Sequence, residues 1–180
     1  MRIVIVGGGK VGSTLAAELT REGHDLVLID NNSNALRTST NTLDVIGVQG
    51  NGATYDVQKE AEVNKADLLI AVTSSDEVNM LSCLLAKKLG ARHTIARIRN
   101  PEYSRQLMFL QDELGLSMAI NPEQAAADEI SRILRFPSAA KIDVFARGRV
   151  ELVEFRINET CPLAGPQLSA LYGRYRLKVL

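Results

Sequence analysis

Residues 1–19 read MRIVIVGGGKVGSTLAAEL, and this stretch decides the fold. An apolar run from Ile3 to Val6 enters a turn that is rich in glycine, and a helical pattern begins at once and continues to Glu22. Short apolar runs bounded by turn residues are typical of strands that are buried on both faces of a parallel sheet. The stretch therefore predicts a buried strand, a tight turn and a helix, in that order.

The glycine turn gives the first indication of a ligand, because its glycines fit the pattern G-x-G-x-x-G. Between a strand and a helix, the first glycine permits the tight turn, the second lets a pyrophosphate approach the backbone, and the third lets helix and strand pack closely. The start of the helix adds backbone amides that favour phosphate. The alternative is a plain turn. We expect phosphate contacts from the turn residues Gly7, Gly8, Gly9, Lys10, Val11 and Gly12.

Strand and helix patterns alternate as far as residue 136. After the first strand, the predicted strands are residues 25–30, 45–49, 67–72, 93–99 and 117–120. The predicted helices are residues 11–22, 35–42, 55–63, 76–89, 101–114 and 122–135. This alternation predicts an α/β fold with right-handed crossovers, a Rossmann-like, doubly wound, parallel six-stranded sheet. Ligands of such sheets lie beyond the carboxyl ends of the strands, where the strand order reverses.

The pattern changes after Pro137, where small residues interrupt the alternation. Two strand patterns, 141–147 and 150–157, indicate a hairpin with its turn near Gly148, followed by a short helix pattern over 165–172 and a strand pattern over 177–180. We therefore predict a nucleotide-binding domain over residues 1–136, which includes the crossover helix 122–135. The start of a small, incomplete α+β domain is predicted over residues 141–180.

Composition excludes several classes of protein. The 180 residues carry 21 basic and 21 acidic side chains, so no net charge favours nucleic acid as a partner. The two cysteines, Cys83 and Cys161, have no metal-ligand spacing, which favours a reducing cytosol. The apolar runs are far shorter than the roughly 18 residues of a membrane span. We expect a cytoplasmic chain that does not cross a membrane but can dock on a protein that does.

Polar residues at the ends of the predicted strands are the further candidates for ligand contacts. Asp30 ends the second strand, where a carboxylate can accept hydrogen bonds from both ribose hydroxyls of an adenosine and would repel the 2′-phosphate of NADP. A surface turn is the alternative for this aspartate. Asn51, within a Gly-Asn-Gly turn after the third strand, can bring its amide to an adenine edge, although a simple turn explains it equally well.

The fourth and fifth strands are followed by candidates of the same kind. Thr73 and Ser74 can bind a ribose or a phosphate, or they can belong to a helix-capping cluster. Arg97 and Arg99 alternate along the fifth strand and are predicted to share one face, with Arg99 at its carboxyl end. A guanidinium group can form two parallel hydrogen bonds to a phosphate, which favours phosphate binding by these arginines. The alternative is that both arginines are solvated at the end of the strand and bind no ligand. Glu123, in the first turn of the sixth helix, is expected at the ligand-facing end of its strand.

Hydride transfer requires an acid or base beside the nicotinamide, but no histidine is placed for this role in the predicted crevice and no lysine or cysteine lies in a recognisable catalytic arrangement. The two histidines fall at the amino ends of strands, which is the edge of the sheet opposite to the crevice. This absence favours a sensor rather than an enzyme. The alternative is an NAD-dependent dehydrogenase that is truncated before its catalytic domain.

Five motifs give the chain a resemblance to the RCK (KTN) domain family of regulatory subunits in bacterial Trk-type potassium-uptake systems. These motifs are IVIVGGGKVG at the start, LID ending in Asp30, VTSSDEVNM over 72–80, ARIRNPEY over 96–103 and NPEQAAADEI over 121–130. The last three together are rather specific, whereas many dehydrogenases share the first two. Members of this type usually carry two such units, so the chain resembles an amino-terminal fragment.

The resemblance implies a cofactor, an assembly and a place in the cell. It implies NAD(H), with ATP or ADP possible at the same site, bound through residues Gly7 to Val11, Asp30, Thr73, Ser74 and Arg97. It also implies a homodimer or a larger ring of RCK domains on a membrane-embedded potassium channel subunit, and hence a peripheral location at the inner face of the membrane. In this setting ligand-driven motion would gate ion flow, and the helix 122–135 is the predicted moving part and dimer surface.

Overall fold

The computed structural model describes residues 1–110, 114–146 and 148–167. The chain divides into two compact units, Met1–Ala125 and Ala126–Leu180. This division falls earlier than the change of pattern at Pro137, and the domain boundary predicted from the sequence stays a prediction. Within the described part of the chain, no helix has the length and apolar character that a membrane span requires.

The first unit alternates strands and helices. Its strands are β1 Arg2–Val6, β2 Asp25–Asp30, β3 Ile46–Gln49, β4 Leu68–Ala71, β5 His93–Arg97 and β6 Met118–Ile120. The helices are α1 Lys10–Arg21, α2 Ser33–Thr42, α3 Tyr55–Glu60, α4 Asp76–Leu89, α5 Pro101–Leu110 and α6 Pro122–Arg135, of which the last continues into the second unit. The predicted end of the fifth helix, at residues 111–114, lies largely outside the described residues.

The strands form one parallel sheet in the order β3-β2-β1-β4-β5-β6. The predicted Rossmann-like sheet is therefore confirmed. The chain leaves β1 toward β2 on one side and returns to β4 on the other, so the strand order reverses between β1 and β4. A crevice is expected at the carboxyl ends of these two strands.

Burial explains why β1 lies at the centre of the sheet. Its residues Ile3 to Val6 are at most 2% exposed. Val4 and Val6 pack into one apolar cluster, whereas Ile3 and Ile5 pack into the cluster on the opposite face. A strand that is covered on both faces needs apolar side chains in both of its alternating sets, which is the pattern seen at the start of the chain.

Capping residues and residues with left-handed backbone conformation determine where the helices begin and end. The Ser75 side chain accepts a hydrogen bond from Val78 N at the start of α4, and Gly90 ends that helix in the left-handed region at φ 116°. Both ends agree with the predicted bounds. The third helix is shorter than predicted, because the backbone turns into the left-handed region at Glu62 before a short 3-10 helix, Val63–Lys65.

The second unit contains the predicted hairpin. Strands β7, Ala139–Phe145, and β8, Val150–Phe155, pair antiparallel. The helix predicted over 165–172 falls mostly outside the described residues, and the strand predicted over 177–180 lies entirely outside them.

Candidate functional site

A crevice of about 590 Å³ opens at the carboxyl ends of β1, β2, β4 and β5, within the first unit. It lies at the point where the strand order reverses. Most of the predicted site residues line it, namely Gly7, Gly9, Lys10, Val11, Asp30, Asn51, Thr73, Ser74, Arg97 and Glu123. Gly8, Gly12 and Arg99 do not belong to this lining.

The three glycines of the G-x-G-x-x-G motif, Gly7, Gly9 and Gly12, lie in different surroundings. Gly7 has a φ of 106°, and a Cβ there would lie 2.9 Å from the backbone nitrogen of Thr73. A Cβ on Gly12 would overlap the carbonyl oxygen of Gly7, so this position serves the close packing of α1 on the turn. At Gly9 a Cβ would meet nothing within 4 Å, because this position faces the open crevice. Two glycines are thus required by the fold, and the third leaves room for a ligand.

Asp30 ties the glycine turn to the end of β2. Its Oδ2 accepts a hydrogen bond from Gly8 N at 2.5 Å, and its Oδ1 accepts one from Asn32 N at 2.7 Å. A carboxylate has about four lone-pair sites, so Asp30 keeps acceptor capacity toward the crevice. The amide of Gly8 is already bound to this carboxylate, which explains why Gly8 supports the turn and is absent from the lining.

Thr73 follows β4 and is hydrogen-bonded to the side chain of Asn79 in α4. Thr73 N donates to Asn79 Oδ1 at 2.8 Å, and the Thr73 hydroxyl lies 2.7 Å from the same oxygen. The backbone of Thr73 also adjoins Gly7, as the position of the Gly7 Cβ shows. Thr73 therefore belongs both to the capping cluster and to the crevice, the two alternatives that the sequence left open.

Arg97 and Glu123 form an ion pair in the crevice through a short contact of Nη2 with Oε1. The Arg97 side chain is 13% exposed, and its Nε is buried without a hydrogen-bond partner among the described residues. The hydrogen bond from Arg97 holds the pKa of Glu123 below its usual value. Arg97 thus contributes a positive charge to the crevice, where a guanidinium group can bind a phosphate.

Strand β5 is shorter than predicted, and Arg99 is not among the described residues that line the crevice, so its contact with a ligand stays a prediction. Strand β5 ends at Arg97. Ile98 N still donates to the carbonyl oxygen of Ile120 in β6 at 2.8 Å, and the buried Asp76 carboxylate then accepts the amides of Arg99 and Asn100 at 2.9 and 2.8 Å. The Arg99 guanidinium donates to the carbonyl oxygen of Ser74 and lies 3.7 Å from Asp76 Oδ1. Arg99 thus braces the Ser74 turn from outside the crevice.

The loop after β3 forms another wall of the crevice. Asn51 Oδ1 accepts from Ala53 N at 3.0 Å, which is the geometry of an ordinary turn. The buried Gln58 donates to the carbonyl oxygens of Gly52 and Ser82, at 2.7 and 2.8 Å, and so fixes the loop to α4. Asn51 nevertheless lines the crevice, so its two predicted roles are compatible.

Sequence reasoning missed the buried polar residues that support the site. Asp76, Asn79 and Gln58 are at most 6% exposed, and each binds the backbone of a crevice loop. A signal was present for Asn79, since it lies four residues after Ser75 on the face of α4 that carries Cys83 and Ala86. A polar side chain among buried helix positions needs a buried partner.

The doubly wound sheet, the glycine turn at its reversal point and the acidic residue ending β2 are the features of dinucleotide-binding Rossmann-like domains. The TrkA-N domain family matches residues 3–122. This chain belongs to that family.

The curated relatives are named as potassium-uptake proteins. The chain is 38% identical over 172 residues to the "Trk system potassium uptake protein TrkA homolog" of Archaeoglobus fulgidus, covering 96% of this chain and 39% of the relative. The TrkA protein of Haemophilus influenzae is 39% identical over 173 residues, with 94% and 38% covered. A shorter TrkA homolog of Methanothermobacter thermautotrophicus is 33% identical, and the match covers 89% of this chain and 72% of the homolog. The chain thus spans about two fifths of the first two relatives.

Solved structures share the fold. The TrkA-N domain of the inner membrane protein ybaL from Escherichia coli matches with a TM-score of 0.65 at 22% identity, covering 74% of this chain and 96% of that domain. The GsuK RCK domain matches with a TM-score of 0.62 at 24% identity, covering 80% of this chain and 31% of that one.

Proposed function

We propose that the crevice binds NAD(H), with ATP or ADP as alternative occupants of the same site. The observation that carries this proposal is the junction of Asp30 with the glycine turn, because it presents a ribose-binding carboxylate beside an open phosphate position. Related folds support the choice, since the GsuK channel has been solved bound to NAD and the GsuK protein bound to ADP.

We further propose that the chain is the sensing part of a cytosolic regulatory subunit, which acts on a membrane-embedded potassium channel or transporter of the Trk type. The names of the curated relatives support this role. The subunit would be peripheral, held at the inner face of the membrane by its channel partner. It would work as a homodimer or a larger ring, in which nucleotide binding changes the gating of potassium flux.

Binding without catalysis fits the residues of the crevice. Its described lining contains acidic, basic, hydroxyl and amide side chains, and no histidine, cysteine or tyrosine. A dehydrogenase needs a group that exchanges a proton with the substrate next to the nicotinamide. We propose that the full-length parent protein gives no steady turnover of NAD⁺ with hydroxy acids or alcohols, and turnover with any of them would favour the dehydrogenase alternative.

Calorimetric titration of the purified chain with NADH, NAD⁺, NADPH, ATP and ADP tests the proposed site. NADH should bind more tightly than NADPH, because the Asp30 carboxylate repels a 2′-phosphate. In the full-length parent, reconstituted with its channel, NADH or ATP should change potassium flux, and a Gly9→Val variant should remove that response. A chain that binds none of the five nucleotides would contradict the proposal.

A further inference from the structure

Asn79 is fully buried in α4 and connects the ends of two neighbouring strands. Its Nδ2 donates to the carbonyl oxygen of Arg97 at 2.9 Å and to that of Thr73 at 3.3 Å. Its Oδ1 accepts from the amide and the hydroxyl of Thr73, at 2.8 and 2.7 Å. One side chain thus fixes the relative position of two crevice residues, one after β4 and one at the end of β5.

The orientation of the Asn79 amide follows from its backbone partners. Thr73 N can only donate, and the carbonyl oxygen of Arg97 can only accept. Exchanging the amide oxygen and nitrogen would set two donors against each other at Thr73 and two acceptors against each other at Arg97. The oxygen of Asn79 therefore faces Thr73.

This orientation determines where the proton of the Thr73 hydroxyl points. The two acceptors within reach of the hydroxyl are Asn79 Oδ1 at 2.7 Å and the carbonyl oxygen of Ser75 at 3.1 Å, and both belong to the protein. Ser75 N, at 3.3 Å, uses one of the two lone pairs of the hydroxyl oxygen. Thr73 lines the crevice, so its hydroxyl can meet a ligand there only through the remaining lone pair, as an acceptor.

An acceptor selects a different ligand group from a donor. A lone pair binds a hydroxyl group of the ligand and repels the oxygens of a phosphate. Strands β2 and β4 flank β1, so Asp30 and Thr73 follow strands about 10 Å apart. A ribose bound by Asp30 therefore leaves Thr73 to a group on the far side of the phosphates.

We infer that Asn79 is a positioning residue that holds Thr73 as an acceptor for a hydroxyl of a second ribose. The crevice would thereby favour ligands with a ribose on each side of a pyrophosphate over nucleoside di- and triphosphates. This inference rests on the proposed nucleotide site, and it adds a basis for choosing among its occupants.

The test compares dissociation constants of ADP-ribose, ADP and ATP for the purified chain and its variants by calorimetry. Thr73→Val removes the hydroxyl at nearly constant shape, and it should weaken ADP-ribose about fivefold more than ADP, as expected for one neutral hydrogen bond. Thr73→Ser should restore ADP-ribose binding. Asn79→Ala removes the nearer of the two protein acceptors and the side chain that holds Thr73 in place, so the ratio of the ADP-ribose to the ATP dissociation constant should rise about fivefold.

A purely structural role of Asn79 would weaken all three ligands by the same factor, and that result would overturn the inference. In a Thr73→Val background, Asn79→Ala should no longer change the ratio, and a change there would contradict the inference too. If circular dichroism shows that Asn79→Ala does not fold, the comparison of Thr73→Val with Thr73→Ser still tests whether the Thr73 hydroxyl binds the second ribose. Binding of all three ligands with unchanged ratios in every variant would refute this inference alone. Absence of binding to the unmodified chain would refute the proposed site as well.

Discussion

The guanidinium group of Arg97, at the end of β5, is paired with the carboxylate of Glu123 in the first turn of α6. Both side chains line the crevice, and the Glu123 side chain is 53% exposed. We expect a phosphate that binds Arg97 to compete with Glu123 for the guanidinium group. Such competition would act on the start of α6.

We expect the Glu123→Gln variant to bind ATP up to about fivefold more tightly, because an exposed ion pair contributes about 0.2–1 kcal/mol. Glu129→Gln is a matched control, since it removes the same charge from a residue that is paired with Arg132 on the same helix and lies outside the crevice lining. Calorimetry on both variants measures the difference, and equal affinities for the two would contradict the competition.

The same pair predicts a pH response. The pKa of Glu123 is lowered in the folded chain, so the ion pair is fully present above the usual glutamate pKa and is lost only as the pH falls through the lowered value. Glu123 should therefore add no pH dependence to nucleotide binding between about pH 6 and 8. The nucleotide affinities of the unmodified chain and of Glu123→Gln should change with pH in parallel over this range. A divergence near neutral pH would show that Glu123 changes its protonation state there, contrary to this prediction.

Asp30→Asn should weaken NADH by about 1–3 kcal/mol, the cost of a lost hydrogen bond to a charged group. The difference between NADH and NADPH should also narrow, because the negative charge that repels the 2′-phosphate is gone. Asp25→Asn, at the exposed start of the same strand, is the control and should change neither affinity. Equal binding of NADH and NADPH to the unmodified chain would remove the assigned role of Asp30.

Gly9→Val should abolish nucleotide binding without lowering the thermal unfolding temperature, because its Cβ meets only open space. Gly12→Val offers the contrast, since its Cβ would overlap the carbonyl oxygen of Gly7 and should destabilise the fold. Differential scanning fluorimetry with and without NADH separates the two effects. If Gly9→Val binds NADH normally, the phosphates lie elsewhere.

Helix α6 has an apolar side without cover in the described chain, where Ile130, Ile133 and Leu134 are 58%, 55% and 71% exposed. We expect a homodimer with this side at the interface, and Ile130→Asp should shift the chain toward monomer, because it places an unpaired charge there. Ser131→Asp adds the same charge about 100° round the helix from Ile130, at the edge of the apolar side, and should weaken the dimer less. Analytical ultracentrifugation at high micromolar concentration checks both, and an unmodified chain that stays monomeric would contradict the expected interface.

The sequence predicts the elements of the sheet because their signals are local. Apolar runs such as Ile3 to Val6, the cap at Ser75 and the stop at Gly90 each depend on a few neighbouring residues. The position of the crevice follows from the general rule for doubly wound sheets. Sequence reasoning therefore predicts most of its lining.

The errors arise where distant residues meet. The alternation of Arg97 and Arg99 predicts a shared face, but β5 ends at Arg97, and Asp76 of α4 accepts the backbone amide of Arg99. The partners of Asn79 and Gln58 are likewise backbone groups distant in sequence, which no local pattern specifies. Such contacts depend on tertiary packing and can be found only once the helices are placed on the sheet.

The open space at Gly9 has a consequence for the history of this family. Gly7 and Gly12 are under pressure from the fold itself, since a side chain at either would collide with the neighbouring backbone. At Gly9 the folded chain imposes no such steric penalty, so only a bound ligand would select against larger residues. If the proposed function holds, a descendant that no longer binds a nucleotide should change first at Gly9, while Gly7 and Gly12 persist.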